Sequence, residues 1–286
     1  MKVKKLGLVL EGGASRTFYS CGIMDCLLKE NIYADYVIGT SAGIANGVSY
    51  VSKQVGRNYV IGTKYLPTRK YLGFHHLLNR KNRSYYNLEF VFNEIPNKLL
   101  PFDYDTFADF KGEVIAAVTN IETGKPEYLD VSRNDRKFMI LRASCSLPIM
   151  FQPIEINGKK YMDGGICDSI PVQQAIESGC DKCLVILTQP RDYRKQFDKS
   201  IELSAKAFKK YPEFCKALYS RPENYNNCLE KIVELEKEGR VFVIAPKESL
   251  GIKRTEHKAE EIKRIYDLGL EDFEDAKNLL KDFLNK

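Results

Sequence analysis

Apolar residues fall into short runs separated by glycine-rich turns, and the first few runs define the architecture. Lys5 to Leu10 (KLGLVL) has the length and near-continuous apolarity of a buried strand. It passes into Glu11-Gly12-Gly13-Ala14-Ser15-Arg16, after which Phe18, Ile23, Leu27 and Leu28 recur at helical spacing until about Asn31. Asp35 to Gly39 (DYVIG) predicts a second strand. It runs straight into Thr40-Ser41-Ala42-Gly43 and then a helical spacing of Ile44, Val48 and Val51. Such an alternation of strand, loop and helix calls for a mostly parallel central sheet with helices on both faces, a three-layer α/β/α fold.

Order weakens from residue 54 to about 112, where aromatic and basic residues interleave and Pro67, Pro96 and Pro101 act as breakers; this stretch is expected to be an insertion or cap. Strands resume at Glu113 to Thr119, Pro153 to Ile156 and Lys159 to Met162, the last two joined by Asn157-Gly158, a type I′ hairpin signal. Asp163-Gly164-Gly165 follows that hairpin. Pro171 opens a helix running to Gly179, and Cys183 to Leu187 predicts a buried strand. Helical segments are expected over 198–238, a last strand at Val241 to Ala245, and two charged amphipathic helices in a C-terminal extension over 247–286. The whole chain, 1–286, is expected to be one domain.

Composition changes this picture little: 44% hydrophobic and 29% charged residues are ordinary for a globular protein. No apolar run approaches the roughly 18 residues of a membrane-spanning helix, and the start MKVKKLGLVLEGG turns polar too early for a signal peptide, so a cytoplasmic location is expected. The 8 cysteines are scattered and expected to be reduced. Cys180-Asp-Lys-Cys183 lacks the second ligand pair that zinc needs, so both residues are expected to be structural. Charge is more informative. The net charge of +6 conceals a stretch between Asp35 and Glu89 without one acidic residue, carrying Lys53, Arg57, Lys64, Arg69, Lys70, Arg80, Lys81 and Arg83. That stretch suits anions; the bland alternative is a solvated surface.

Gly39-Thr40-Ser41-Ala42-Gly43 is a G-x-S-x-G elbow, in which a tight strand-to-helix turn lifts a serine hydroxyl clear of a sheet. Serine needs a base to become a nucleophile. Of the three histidines, His75 and His76 lie in the basic stretch, and His257 lies in the highly charged RTEHKAEEIKR. A Ser41, Asp163, His257 triad has the α/β-hydrolase chain order and stands as one alternative. Against it count the early position of the elbow, the glycine-rich loop one βα unit before it, and the placement of Asp163-Gly-Gly at a strand end. A P-loop is excluded, since EGGASRT lacks the G-K-[ST] ending.

EGGASR, GTSAG and YMDGG, in that order, resemble the three signature blocks of patatin-like phospholipases, and RASCSLPIMFQPIEINGKKYMDGGICDSIPV is similar to that family almost throughout. The resemblance is clear over residues 5 to about 190. It implies a Ser-Asp dyad without histidine, with Ser41 as nucleophile and Asp163 as base, no metal or cofactor, and main-chain N–H groups of the glycine loop as oxyanion hole. Donors at Gly12, Gly13 and Ala14, opening a helix, would face the charge of a tetrahedral intermediate. Arg16 is expected to anchor the loop or an anionic head group. Two positions depart from the family's G-G-G-x-[RK]-G loop: Ala14 stands for the third glycine and Thr17 for the last. Both residue types resist positive φ, so the loop would be weakened if it needs that conformation there.

The resemblance implies hydrolysis of phospholipid acyl esters through an acyl-Ser41 intermediate. Acyl transfer would use the same residues, and a catalytically idle lipid-binding protein would keep the fold. The basic stretch, with Phe74, Leu77, Leu78, Tyr85 and Tyr86, is expected to make peripheral contact with anionic membrane. Nucleic acid is not an expected partner, because the charge comes without a recognised motif.

Overall fold

A computed structural model describes residues 3–78 and 83–285. Strand β1 (Leu6–Leu10) is buried along its whole length because both its faces are covered. Leu8 and Leu10 point into one apolar cluster, whereas Val9 points into another on the opposite side of the sheet. β1 pairs in parallel with β2 (Tyr36–Thr40) and, on its other edge, with a later strand, Lys182–Ile186. β2 in turn pairs in parallel with β3 (Glu113–Asn120). Antiparallel to β3 run β4 (Pro126–Asp130) and the second strand of a hairpin, β5 (Ile154–Ile156) and β6 (Lys159–Asp163). The strand Lys182–Ile186 is β7, and it pairs in parallel with β8 (Val241–Ile244). The order is β5-β6-β3-β2-β1-β7-β8, with β4 beside β3. The expected mostly parallel sheet is therefore present. β4 was not anticipated, because PEYLD opens on proline, ends on acid and has no buried face.

The pairing around β3 brings two distant parts of the chain together. Residues Ile115 to Ala117 are shared by β2 and β4, and Val118 and Thr119 by β6 and β4. A strand has two edges, so β2 and β6 must occupy the same one in succession. Thr40 lies opposite Ala117, and Asp163 lies opposite the very next residue, Val118. The ends of β2 and β6 thus meet head to head.

Helices α1 (Phe18–Lys29) and α2 (Ala42–Val51) follow the first two strands. Next come α3 (Arg57–Val60), α4 (Tyr104–Asp109), α5 (Met139–Ser144), α6 (Val172–Glu177) and α7 (Lys199–Ala207). The last two are long, α8 (Pro212–Lys237) and α9 (Ala259–Asn285). α1, α2 and α9 contribute to the first cluster, α6 and α8 to the second. Fully burying one large apolar side chain contributes about 1.5–3 kcal/mol, so these two layers supply most of the driving force. The N-terminal half of α9 is seated on α1 by Tyr19 Oη donating to Asp272 (2.8 Å) and Tyr266 Oη donating to Asp25 (2.5 Å).

The expectation of two closing helices is corrected, since α9 is a single helix of 27 residues. Gly269 does not divide it. A Cβ there would stand 2.1 Å from the Tyr19 carbonyl oxygen, and one at Gly22 would stand 2.3 Å from that of Tyr266. The glycines serve the close crossing of two helices rather than a break.

Residues 54–112 consist largely of short helical pieces: α3, the π-helical turn Ile61–Tyr65, the 3-10 turn Phe74–Leu78, the wide helix Phe90–Leu99 around Pro96, and α4. Arg57 does not belong to a basic surface, being only 7% exposed. It donates to the carbonyls of Leu100 (2.6 Å) and Pro101 (3.2 Å), and burial pushes its pKa down to about 10. Arg80 and Lys81 lie outside the described residues.

Candidate active site

Ser41 occupies the turn between β2 and α2 with φ 54° and ψ −133°, a conformation that a side-chain-bearing residue adopts only under constraint. Gly39 is the penultimate residue of β2 and Gly43 lies in the first turn of α2. The elbow is tight enough that a Cβ at Gly43 would stand 2.6 Å from the Glu11 carbonyl oxygen. The Ser41 N–H donates to Ser144 Oγ (2.8 Å), and Ser144 Oγ donates to the Ala117 carbonyl (2.7 Å). Ser144 is fully buried and ties the elbow to β3. Motif reasoning did not single it out, although it stands in the segment RASCS.

Asp163 is the last residue of β6, and the neighbouring ends of β2 and β6 place Ser41 Oγ 2.7 Å from its Oδ2. Gly164 and Gly165 form the 3-10 turn that follows, and Gly165 N–H donates to Asp163 Oδ1 (2.8 Å). The carboxylate is 1% exposed. Burial raises its pKa above the usual value, opposed by the bonds from Ser41 and Gly165 and by the charges of Arg221 and Arg254. A carboxylate so placed accepts a proton from serine more readily than a solvated one.

The glycine loop lies beside this pair. Glu11 anchors its start, accepting from Tyr225 Oη (2.8 Å) and from Thr188 N–H. Gly12 N–H donates to the Ser169 carbonyl (3.2 Å), and the N–H groups of Gly13 and Ala14 are without a partner among the described residues. Ala14 takes φ 49°, so the loop does use the left-handed region at the position where the sequence departs from glycine. Thr17 has φ −68° and is unstrained there. An L-residue in that region costs about 1–2 kcal/mol. Ala14→Gly is therefore expected to raise the melting temperature by about 2 °C in a domain of this size, read by calorimetry. A fall would show that alanine's side-chain contacts outweigh the strain.

Two cavities open at Ser41. The larger, about 140 Å³, is mainly apolar and is walled by Phe18, Leu66, Leu88, Phe92, Phe138 and Leu141 among others. Much of that wall comes from residues 57–102, the stretch expected as a cap. The smaller, about 30 Å³, holds Gly12, Gly13, Ala14, Arg16, Asp163 and Gly165. His257 lines neither; it is exposed and its Nδ1 lies 3.2 Å from the Thr255 carbonyl. No cluster of three or more potential metal ligands occurs among the described residues. Cys180 and Cys183 are buried together against Gly7.

The strand–turn–helix context of a G-x-S-x-G elbow is thus present, with a buried aspartate on the serine hydroxyl. The description "Patatin-like phospholipase" matches residues 8–176, and the chain belongs to that family. Residues 211–285, which span α8, β8 and α9, match "Domain of unknown function (DUF6363)". The chain is similar to the uncharacterized protein YjjU of Escherichia coli (strain K12), 26% identical over 214 residues, which are 69% of this chain and 56% of that protein. It is similar to lysophospholipase NTE1 of Meyerozyma guilliermondii, 28% identical over 187 residues, 63% of this chain and 12% of that protein. It thus spans about half of the first relative and a small part of the second. VipD from Legionella pneumophila aligns over 100% of this chain and 67% of its own, with 14% identity and a TM-score of 0.47.

Proposed function

We propose that the chain is a serine hydrolase acting on acyl esters of glycerophospholipids, with Ser41 as nucleophile and Asp163 as its only base. The 2.7 Å bond between Ser41 Oγ and Asp163 Oδ2, at the mouth of an apolar cavity, carries this reading. Asp163 takes the hydroxyl proton as Ser41 attacks the ester carbonyl. The N–H groups of Gly13 and Ala14 stabilise the resulting oxyanion; Gly12 N–H is engaged elsewhere and is left out of the hole. One such donor is commonly worth about 3 kcal/mol of barrier. Collapse expels the alcohol, which recovers the proton from Asp163, and water repeats the sequence on the acyl-serine. The apolar cavity would hold the acyl chain, and the relatives named lysophospholipases support lipid as the substrate class. Incubation with lysophospholipid micelles should release free fatty acid, measured by mass spectrometry, in wild type and not in Ser41→Ala.

Substrate delivery from a membrane surface is part of this proposal. Phe74 and Leu78 are 77% and 83% exposed, beside Lys70 and Arg83 in the same stretch. No helix among the described residues is long and apolar enough to cross a bilayer. Each Lys or Arg near an anionic surface contributes about 1 kcal/mol, an attraction screened by salt. Sedimentation with phosphatidylserine vesicles should fall steeply between low and high ionic strength. Replacing Lys64, Arg69, Lys70 and Arg83 by glutamine should reproduce the high-salt behaviour. Absence of any anionic-lipid preference at low salt would remove the membrane contact and leave the hydrolase reading intact.

A further inference from the structure

The small cavity shares Ala14, Ser41 and Leu147 with the apolar one but has a different character. Four cationic residues line it: Arg16 after β1, Lys195 between β7 and α7, Arg221 within α8, and Arg254 before α9. They converge from widely separated parts of the sequence. None forms an ion pair among the described residues. Arg16 Nε is buried with no hydrogen-bond partner among them. Arg221 Nε donates to the Gly165 carbonyl (2.6 Å). The backbone of Arg254 is held at the site, its carbonyl accepting from Ser15 N–H at 3.1 Å.

Three carboxylates lie nearby, fewer than the four cationic residues, and each makes its hydrogen bonds to other groups. Glu11 is committed to Tyr225 and Thr188, Asp163 to Ser41 and Gly165, and Asp198 to Ser200 N–H. Lys195 records the resulting field: burial, then the charges of Arg221 and Arg254, push its pKa down to about 7. Arg16 acts in the same sense, Glu11 opposes it, and the rings of Tyr193 and Tyr225 lie against the ammonium. Three arginines and a lysine around one cavity outnumber the carboxylates near them, Glu11, Asp163 and Asp198, and the excess positive charge favours an external anion with several oxygens. The cavity's 30 Å³ exceeds what a single water needs.

We infer that this pocket is a phosphate subsite, which receives the phosphate of a phosphate-bearing acylglycerol while the ester carbonyl stands at Ser41. The inference rests on the hydrolase reading and deepens it, because one serine then has a chain pocket and a head-group pocket, both touching it. A phosphomonoester head fits best. An added ammonium, as in a choline head, would meet charges of its own sign and would have to stay outside.

Two measurements with the full chain decide it. The first compares kcat/KM for a short-chain 1-acylglycerol 3-phosphate with that for the monoacylglycerol of the same chain, both below their micellar concentrations. The phosphate ester should be preferred by about tenfold or more, the effect of one charge-assisted hydrogen bond. Lys195→Gln and Arg254→Gln, each checked for fold by circular dichroism, should shrink that ratio. Equal kcat/KM for two esters that are both hydrolysed overturns the subsite while the hydrolase reading stands. Hydrolysis of neither ester, with no covalent labelling of Ser41, would count against the hydrolase reading. Binding then decides the subsite separately.

In the second measurement, glycerol 3-phosphate and inorganic phosphate are titrated calorimetrically into the Ser41→Ala protein. Saturable binding of glycerol 3-phosphate, tighter than that of inorganic phosphate and weakened about tenfold by Arg254→Gln, is expected. Near pH 7 the heat should vary with the buffer's ionisation enthalpy, because an anion raises the pKa of Lys195 and draws in a proton. Lys195→Gln should change that variation, leaving only the part that comes from the ligand's own second ionisation. Absence of saturable binding of either ligand overturns the subsite whatever the catalytic result. Inorganic phosphate binding at least as tightly as glycerol 3-phosphate would assign the pocket to free phosphate and overturn the lipid assignment.

Discussion

Ser41→Ala is expected to reduce ester turnover by about 10⁴-fold or more while leaving the protein folded. The change deletes a single oxygen that donates to Asp163 and also meets the Cys145 thiol, and it keeps the backbone bond from Ser41 N–H to Ser144. Alanine at φ 54° is no more strained than serine, so the melting temperature should move little. The proposed oxyanion donors and the apolar cavity stay in place, which would allow some residual acceleration over water but no acyl-enzyme. Hydrolysis of a p-nitrophenyl ester, with a thermal melt on the same sample, separates loss of chemistry from loss of fold. Substantial turnover by the folded variant would exclude Ser41 as nucleophile.

Asp163→Asn should follow with a loss of about 10³-fold or more, because an amide cannot take the serine proton. His257→Ala should change turnover by less than about twofold, since its ring makes only a local contact with the Thr255 carbonyl. The pH profile carries the same information. As the proposed base, Asp163 would work only when ionised, and its pKa is raised by burial, so kcat/KM should climb with pH through that raised value and then level off. A carboxyl whose pKa is higher folded than unfolded stabilises the fold below the unfolded pKa and loses that contribution as pH rises through the folded one. Asparagine removes a buried charge while its amide oxygen can still accept from Gly165. The melting temperature of Asp163→Asn at neutral pH is therefore expected not to fall. A large loss on His257→Ala, with Asp163→Asn mild, would restore the histidine triad.

What the sequence made legible follows from how local each signal is. The elbow at Gly39 to Gly43 and the Asn157-Gly158 turn are written in adjacent residues, and the latter has the two positive φ values its type demands, 51° and 77°. Ala14 was visible as a departure from glycine, and only the backbone could say that the position is left-handed. Other features arise from pairing across the chain. That Ala117 and Val118 hold Thr40 and Asp163 side by side is a matter of register, invisible before the sheet is assembled. The same holds for Arg221 and Arg254, which look like ordinary surface charges of helix and loop until α8 and the segment before α9 pack beside the glycine loop. Arg57 shows the reverse error, a basic residue counted as surface that in fact caps two carbonyls inside the fold.

The most direct test is covalent labelling by a fluorophosphonate, which reacts by far fastest with a serine activated by a base and held beside an oxyanion hole. Intact-mass and peptide analysis of the wild-type protein should show one adduct, on Ser41. Labelling should disappear in Ser41→Ala, fall strongly in Asp163→Asn and persist in His257→Ala. A wild-type protein that is folded yet takes no label, or a label that survives in Ser41→Ala, would contradict the Ser41–Asp163 mechanism.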